Sequence, residues 1–463
     1  MVLAIVLVLL VIGSLAFHFI SPWWFTPIAS NWTSIDTTIN ITFWVTGFVF
    51  IAVNLFLAYC VFRFRYSKKR RAHYEPENKK LESWLTLLTS IGIIAMLAPG
   101  LIVWAKFIDV PENAMVIEAV GQQWKWTFRL PGADGQLGKV DTRLITAQNP
   151  FGINPQDNAG RDDLLVDSPN LQLPLNRPIK VLLRSKDVLH NFAVPEFRVK
   201  MDLVPGQVGY LWFTPTRLGD FEILCMELCG VAHYAMRAKI KVVSGSDFEA
   251  WSKNLPSFAS SQKTDPVDPA QGEALYAICS GCHGVSGMGN TALNAPRLNG
   301  LDAAYLERQI NYFKRGVRGY QDGDTYGQQM AMMANTLTDQ RSVRSVSAYI
   351  EALPVAGTDA TFAGDSHAGA AHYVACGICH GQQGEGNPGL NAPRLAGQND
   401  WYLKRQLQNF SDGTRGLHPQ DLYGRQMSMM SKVVNDDGAI DDLISYLNSL
   451  SAERESMPRV PVQ

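Results

Sequence analysis

Two stretches of the chain, Ile41 to Phe62 and Trp84 to Ala105, are almost unbroken in apolar residues and long enough to cross a bilayer, which takes about 20 residues of helix. Between them lie Arg63, Arg65, Lys68, Lys69, Arg70, Arg71, Lys79 and Lys80, a cationic loop that the positive-inside rule places in the cytoplasm. Everything after Lys106 is then expected outside it. The N-terminal run MVLAIVLVLLVIGSLAFHFI is apolar as well and reads as a signal peptide or a retained helix. With no Lys or Arg ahead of it and no small-x-small cleavage site after it, retention is the better reading, and the later topology is the same either way.

From Met115 to Val243 the pattern changes to short alternating runs, MVIEAV, WKWTFRL, IKVLLRS, VGYLWFTP, FEILC and MRAKIKVV, divided by Pro, Gly, Asn and Asp turns. They predict a β-sandwich or Greek-key barrel. The stretch with Pro256 and SSQKTDPVDPAQ predicts a semi-flexible spacer. The remainder is an internal repeat. Cys279 matches Cys376, His283 matches His380, NAPRL at Asn294 matches NAPRL at Asn391, YGQQM at Tyr326 matches YGRQM at Tyr423, and Tyr349 matches Tyr446, every pair 97 residues apart. Duplication of one small helical domain explains the constant offset. The last helix of each copy is expected to begin near Thr338 and Asn435, both good N-cap residues.

At 463 residues the chain exceeds what one hydrophobic core fills, roughly 250 to 300 residues, so several modules are required. The net charge of -1 offers no basic field for nucleic acid. Among the 7 cysteines, Cys60 lies in an apolar stretch and reads as packing. The others form three close pairs of the kind that hold metals or haem: Cys225 with Cys229, Cys279 with Cys282, and Cys376 with Cys379.

CSGCH (Cys279 to His283) and CGICH (Cys376 to His380) fit C-x-x-C-H, in which two thiols add across the haem vinyl groups and the adjacent imidazole becomes an axial iron ligand. A bare C-x-x-C also suits a redox dithiol or half a zinc site. Here the His follows directly, the motif occurs twice, and a thioredoxin-like β-α-β context is absent. For the sixth iron position each repeat offers an M-x-M-M cluster: Met330, Met332 and Met333, then Met427, Met429 and Met430. At most one of each is expected to bind, the rest filling core. His367, His372 and His418 face Ala270, Leu275 and Gln321 at the same offset, so the repeat does not support them as ligands. The repeats resemble the class I fold of dihaem cytochromes c, and that resemblance points to Met330 and Met427.

The strand region ends in CMELCGVAHYAM, Cys225 to Met236. Cys225 and Cys229 can bridge two copper ions through their thiolates, with His233 and Met236 as terminal donors and His190, in SKDVLHNFAVP, as the second imidazole. A Cys2His2 zinc site would use the same cysteines and histidines. The added Met236, the position outside the cytoplasm and the haem motifs on the same chain favour copper.

From Asn40 to Val243 the chain resembles cytochrome c oxidase subunit II: two membrane helices, then a cupredoxin domain with the copper A loop. The matching residues are Gln123-Trp124 with Trp126, Ser185, Asp187-Val188, His190, Phe192, Val194-Pro195, Lys200, Asp202, Pro205-Gly206, Cys225, Glu227, Cys229, Gly230, His233 and Met236. The resemblance implies that Glu227 binds copper through its backbone carbonyl and offers its carboxylate to a magnesium or manganese ion shared with subunit I. It also implies that an electron reaches copper A through Trp124, and that Glu82, in LESWLT, marks the mouth of a proton channel. A sandwich-core aromatic is the competing reading of Trp124, and a solvated acid at a membrane boundary that of Glu82. The Pro that follows in many relatives is missing after Glu82, and WKWTF replaces W-Y-W-x-Y.

The expected architecture is multidomain, with N-terminal transmembrane α-helices, an all-β cupredoxin domain and two all-α cytochrome c domains. Its divisions are 1–39 (signal peptide or extra helix plus outer loop), 40–112 (two-helix anchor), 113–245 (copper A domain), 246–268 (linker), 269–355 and 366–452 (cytochrome c domains). The expected function is electron input to a haem-copper terminal oxidase of a bacterial inner membrane. Electrons pass from cytochrome c or a cytochrome bc-type donor through two covalent haem c groups and binuclear copper A to the oxygen-reducing subunit I, coupled to proton translocation. Subunit III and membrane lipid are further expected partners. The alternative is the copper A subunit of a haem-copper nitric oxide reductase, against which Glu82 weighs. A membrane-anchored copper chaperone or sensor has no use for two covalent haems. Repeat symmetry leaves the order of the two haems open.

Overall fold

The computed structural model describes residues 2–21, 26–68, 71, 76–166, 168–263, 266–434 and 436–455; Lys69 and Arg70 of the cationic loop, and the expected cap Asn435, lie outside the described residues. Helices α1 (Val2–Ile20), α2 (Thr33–Arg63) and α3 (Lys79–Ile108) are each long and apolar enough to cross a membrane. Their large apolar side chains are exposed on nearly every side, as suits a lipid surround. At 1.5 Å per residue the 31-residue α2 is about 45 Å long, against a hydrocarbon core of roughly 30 Å, so it outruns the apolar stretch that begins at Ile41. Its polar first turns stay helical because the Thr37, Thr38 and Thr42 hydroxyls donate to carbonyls four residues back. Asn78 caps α3 by accepting the Leu81 N–H at 3.1 Å.

The middle of the chain forms ten strands: β1 (Met115–Gln122), β2 (Lys125–Leu130), β3 (Leu164–Val166), β4 (Asn170–Pro174), β5 (Ile179–Ser185), β6 (His190–Val194), β7 (Val199–Leu203), β8 (Gly209–Phe213), β9 (Gly219–Cys225) and β10 (Arg237–Val243). They build two five-stranded sheets, in the orders β3-β2-β1-β5-β8 and β4-β10-β9-β6-β7. Phe128, Phe192, Phe197, Phe213 and Ile223 are buried in the core between the sheets. The alternating runs foretold β1, β2, β5, β8, β9 and β10. Strand β6 escaped because all five of its residues are buried, which erases the two-residue alternation. Arg129 is buried in an ion cluster, donating to Glu118 at 2.7 Å and Asp163 at 2.6 Å, while Arg184 pairs with the same Glu118.

The sandwich is tied to the anchor at its outer end. Trp212 Nε1 donates to Lys106 O at 3.2 Å, Tyr210 OH to Ile108 O at 3.1 Å, and Trp32 Nε1 to Trp212 O at 3.0 Å. Arg198 adds an ion pair to Asp36 at 2.6 Å. Strand β8 is thus held by the ends of both α2 and α3.

The first part of the stretch expected as a spacer, as far as Gln262, folds onto the sandwich instead. It carries α4 (Gly245–Ser252) and α5 (Phe258–Ser261), with Phe248 and Phe258 buried. The Phe258 N–H donates to Asp163 O at 2.8 Å, and Gln262 Nε2 to Gln148 O at 3.0 Å. Two aromatic side chains with a buried surface explain why the stretch packs: their burial outweighs the entropy of a free chain.

The repeats follow as α6 (Pro269–His283), α7 (Ala303–Lys314), α8 (Thr325–Ala334) and α9 (Gln340–Ala352), then α10 (Ser366–His380), α11 (Asp400–Ser411), α12 (Leu422–Met430) and α13 (Asp437–Glu455). In each, the first helix packs on the last, and the tyrosine pairs Tyr276–Tyr349 and Tyr373–Tyr446 both sit at 5.4 Å between ring centres. The cap of α9 is Asp339, which accepts the Ser342 N–H at 2.7 Å, rather than the neighbouring Thr338. The two repeats face each other reciprocally. Arg308 donates to Asn391 at 2.7 Å and Arg405 to Asn294 at 2.6 Å, each pair the 97-residue image of the other.

Candidate copper and haem sites

Strands β6 and β9 pair antiparallel, with Phe192 opposite Cys225, and this register brings His190 to the loop that leaves β9. His190, Cys225 and Cys229 are buried with their ligand atoms within 4.8 Å of one another. The Cys225 and Cys229 sulfurs are 3.6 Å apart. His190 Nδ1 lies 3.9 Å from Cys225 Sγ, His233 Nδ1 3.5 Å and Met236 Sδ 3.9 Å from Cys229 Sγ. The Glu227 backbone oxygen is 3.3 Å from Cys225 Sγ. Six donors exceed the four of one tetrahedral ion, but two thiolates shared between two ions give each ion four. The donor set therefore fits a pair of soft ions, as copper requires.

The tautomer of His190 is set by its second nitrogen. Nε2 is 2.8 Å from Asp187 Oδ1, so Nε2–H donates to the carboxylate and Nδ1 is left bare towards the sulfurs. Burial opposes protonation of His190, but Asp187 and Cys225 outweigh it and raise its pKa. Contact with Cys229 pulls the Cys225 thiol down, and the same contact and burial push Cys229 up. The loop closes tightly at Gly230, with φ at +124°, where a Cβ would meet Trp124 Cζ2 at 2.9 Å. Trp124 is buried, belongs to the sandwich core, and donates from Nε1 to Cys229 O at 3.2 Å. Gln123 Nε2 donates to the same carbonyl at 2.6 Å.

In both repeats the C-x-x-C-H motif ends the first helix and places a buried histidine at its last residue. His283 Nδ1 lies 2.7 Å from Pro296 O, and His380 Nδ1 2.7 Å from Pro393 O. A carbonyl only accepts, so Nδ1 carries the proton in each ring and Nε2 is free to bind iron. Burial lowers the pKa of both histidines, keeping them neutral. Burial also pushes Cys376 and Cys379 up to about 11, and for Cys379 the Asp187 carboxylate adds to it. One continuous apolar cavity of about 420 Å³ is lined by the motif residues of both repeats. Met330 and Met333, and Met427 and Met430, reach that cavity, whereas Met332 and Met429 are not among its lining residues. Residues three apart share a helix face, which separates these pairs from the third methionine of each cluster. Both motifs together thus present thiols, a neutral imidazole and thioethers around an apolar space, the donors a c-type haem needs.

Glu82 is exposed in the first turn of α3, where the helix dipole favours a carboxylate. Glu227 is half-buried in the loop, beside the exposed Met226 and Leu228. Sequence reasoning gave no role to Asp187 or to Pro296 and Pro393. The duplicated NAPRL pointed at the prolines, but a carbonyl acceptor carries no side-chain signature.

Fold and site together define a membrane-anchored β-sandwich with a thiolate metal loop, joined to two helical haem-binding repeats. Residues 115–243 match the family "Cytochrome C oxidase subunit II, periplasmic domain". Residues 269–354 and 366–451 each match the family "Cytochrome c". The alternative cytochrome c oxidase subunit 2 of Bradyrhizobium diazoefficiens is 58% identical over 259 residues, 56% of this chain and 94% of that one. Cytochrome c oxidase subunit 2 of Cereibacter sphaeroides is 30% identical over 223 residues, 45% of this chain and 74% of that one. The crystal structure of the periplasmic domain of subunit II of cytochrome oxidase of Bradyrhizobium japonicum aligns with 28% identity and a TM-score of 0.23, covering 31% of this chain and 95% of that one. The chain belongs to the cytochrome c oxidase subunit 2 family and carries two cytochrome c domains in addition.

Proposed function

We propose that this chain is the electron-input subunit of a haem-copper terminal oxidase, passing electrons from a cytochrome c-type or cytochrome bc-type donor towards an oxygen-reducing subunit I. The observation that carries the proposal is the sulfur pair at 3.6 Å, flanked by His190, His233, Met236 and the Glu227 carbonyl on a chain that also bears two C-x-x-C-H motifs. Copper held there supplies a one-electron couple with little reorganisation, and haem c in the repeats supplies two more. Cys225, Cys229, His190 and His233 are the residues that would hold the copper. Asp187 fixes the His190 ring, and Trp124 with Gln123 holds the Cys229 carbonyl in place.

In the repeats, Cys279, Cys282, Cys376 and Cys379 would tether the haems, and His283 and His380 would supply the imidazole to iron. Met430 and Met429 are drawn towards the sandwich core, which favours Met427 for the sixth position and Met330 as its repeat image. Exposed Met226, Leu228 and Tyr234 around the copper loop suit a contact with subunit I, where the Glu227 carboxylate would meet a shared magnesium or manganese ion. Glu82, exposed in the first turn of α3, is assigned to the mouth of a proton channel shared with subunit I, for proton translocation in a bacterial inner membrane with subunit III and lipid around the anchor. The test is gas consumption by the purified complex. Oxygen uptake with reduced cytochrome c supports the oxidase; nitric oxide uptake without oxygen uptake assigns the chain to a reductase instead.

A further inference from the structure

The two repeats are alike in sequence but not in what covers them. The second repeat rests on the sandwich beside the copper loop. Gln426 Nε2 donates to Gln123 O at 2.6 Å, Gln122 Nε2 to Leu390 O at 3.2 Å, and Lys125 Nζ to Tyr423 OH at 3.2 Å. A Cβ at Gly389 would lie 3.2 Å from Ile145. Met429 and Met430 pack against the sandwich core. Cys379 of this repeat is close enough to Asp187, the partner of His190, to feel its charge.

The 97-residue images of these gripping positions are Ala292, Leu293, Tyr326, Gln329, Met332 and Met333 in the first repeat. There the same face is open. Leu293 is 50% exposed against 8% for Leu390, and Met332 is 68% exposed. Ala292 is exposed as well, whereas Tyr326 and Met333 also line the cavity between the repeats and Tyr326 lies under Arg405, so the apolar face that the first repeat shows solvent centres on Ala292, Leu293 and Met332, the images of positions the second repeat uses to bind a redox domain.

We propose that this open face of the first repeat docks an outside one-electron carrier protein, which makes the first repeat the outermost station and the second the one beside copper. This rests on the reading of both repeats as haem carriers. Two features fix the kind of occupant. The face is the internal image of an interface already made with a copper domain. The positions it offers are also few against the roughly 20–30 residues a side of a stable interface, which suits a transient redox encounter. The exchange is one electron: the carrier is oxidised by one, the first repeat is reduced by one, and no bond forms or breaks.

The experiment uses the purified oxidase containing the full chain, with Ala292→Glu and Met332→Glu as separate variants. Reduced class I cytochrome c and a reduced small blue-copper protein serve as carriers, and dithionite as a carrier-independent control. A buried unpaired carboxylate at the contact is expected to slow reduction by at least one carrier by about tenfold or more, equivalent to about 1.4 kcal/mol, with dithionite reduction and haem spectra unchanged. Wild-type rates for both variants with both carriers overturn the proposal. So does protection of Met332→Cys from a maleimide in the assembled oxidase, which would mean that another subunit or a second copy covers the face. The order of stations has its own readout. Replacing both Cys376 and Cys379 by Ser should remove the relaxation enhancement of the copper electron paramagnetic resonance signal, and replacing Cys279 and Cys282 should leave it; the reverse overturns the order. Absence of covalent haem in the wild-type chain would instead defeat the underlying reading.

Discussion

At the residue scale the site depends on atoms that hold the ligands as much as on the ligands. Asp187 is the clearest case, since the Nε2–H it accepts decides which nitrogen of His190 faces the sulfurs. Asp187→Asn is expected to lower copper affinity by about 10- to 100-fold, the usual effect of losing such a support, with both haem spectra unchanged. Titration against a competing copper chelator measures this; unchanged affinity would mean that the sandwich core alone orients His190. The methionines give a second test. Met330→Ala is expected to lower the reduction potential of the first-repeat haem, because thioether ligation raises it, whereas Met333→Ala leaves it in place. Spectropotentiometry on the two variants decides, and the opposite pattern would assign the iron to Met333. The candidate ligands were legible in the sequence because cysteine and histidine at fixed spacing carry chemistry in their names. Asp187, Pro296 and Pro393 were not, because their roles depend on where a fold puts an oxygen.

At the scale of elements, long apolar runs and alternating strands were readable, and the exceptions have physical causes. Strand β6 is buried on both faces and shows no alternation, yet it brings His190 to the copper loop. The expected spacer is held by Phe248 and Phe258, two side chains whose burial a tally of Pro, Ser and Asp overlooks. The seat of the second repeat was hidden because duplication makes both copies look alike, and the difference lies in Gln122, Gln123 and Lys125 of another element. Gln426→Ala removes one bond of that seat, a loss of about 1 kcal/mol. Hydrogen exchange at residues 121–125 and 389–392 is therefore expected to quicken by roughly five- to tenfold, with exchange in α6 and α9 unaltered. Equal exchange in variant and wild type would show that packing of Met429 and Met430 holds the seat without it.

At the scale of the whole molecule, the chain ties a membrane anchor, a metal sandwich and two repeats into one assembly. Trp32, Trp212 and Arg198 lock the sandwich to the helices; α4 and α5 lock the start of the connecting segment to the sandwich; the second repeat seats beside the copper loop. Under the proposed function the repeats are a tethered donor, which gains effective concentration without a tight docking surface, and the seat adds a fixed geometry to the tether. The most direct measurement is the combined optical and electron paramagnetic resonance spectrum of the purified full chain loaded with copper, with its intact mass. The account predicts two covalent low-spin c haems per chain and a multi-line, mixed-valence signal from two copper ions. Zinc or a single ordinary copper at the Cys225 loop would contradict it.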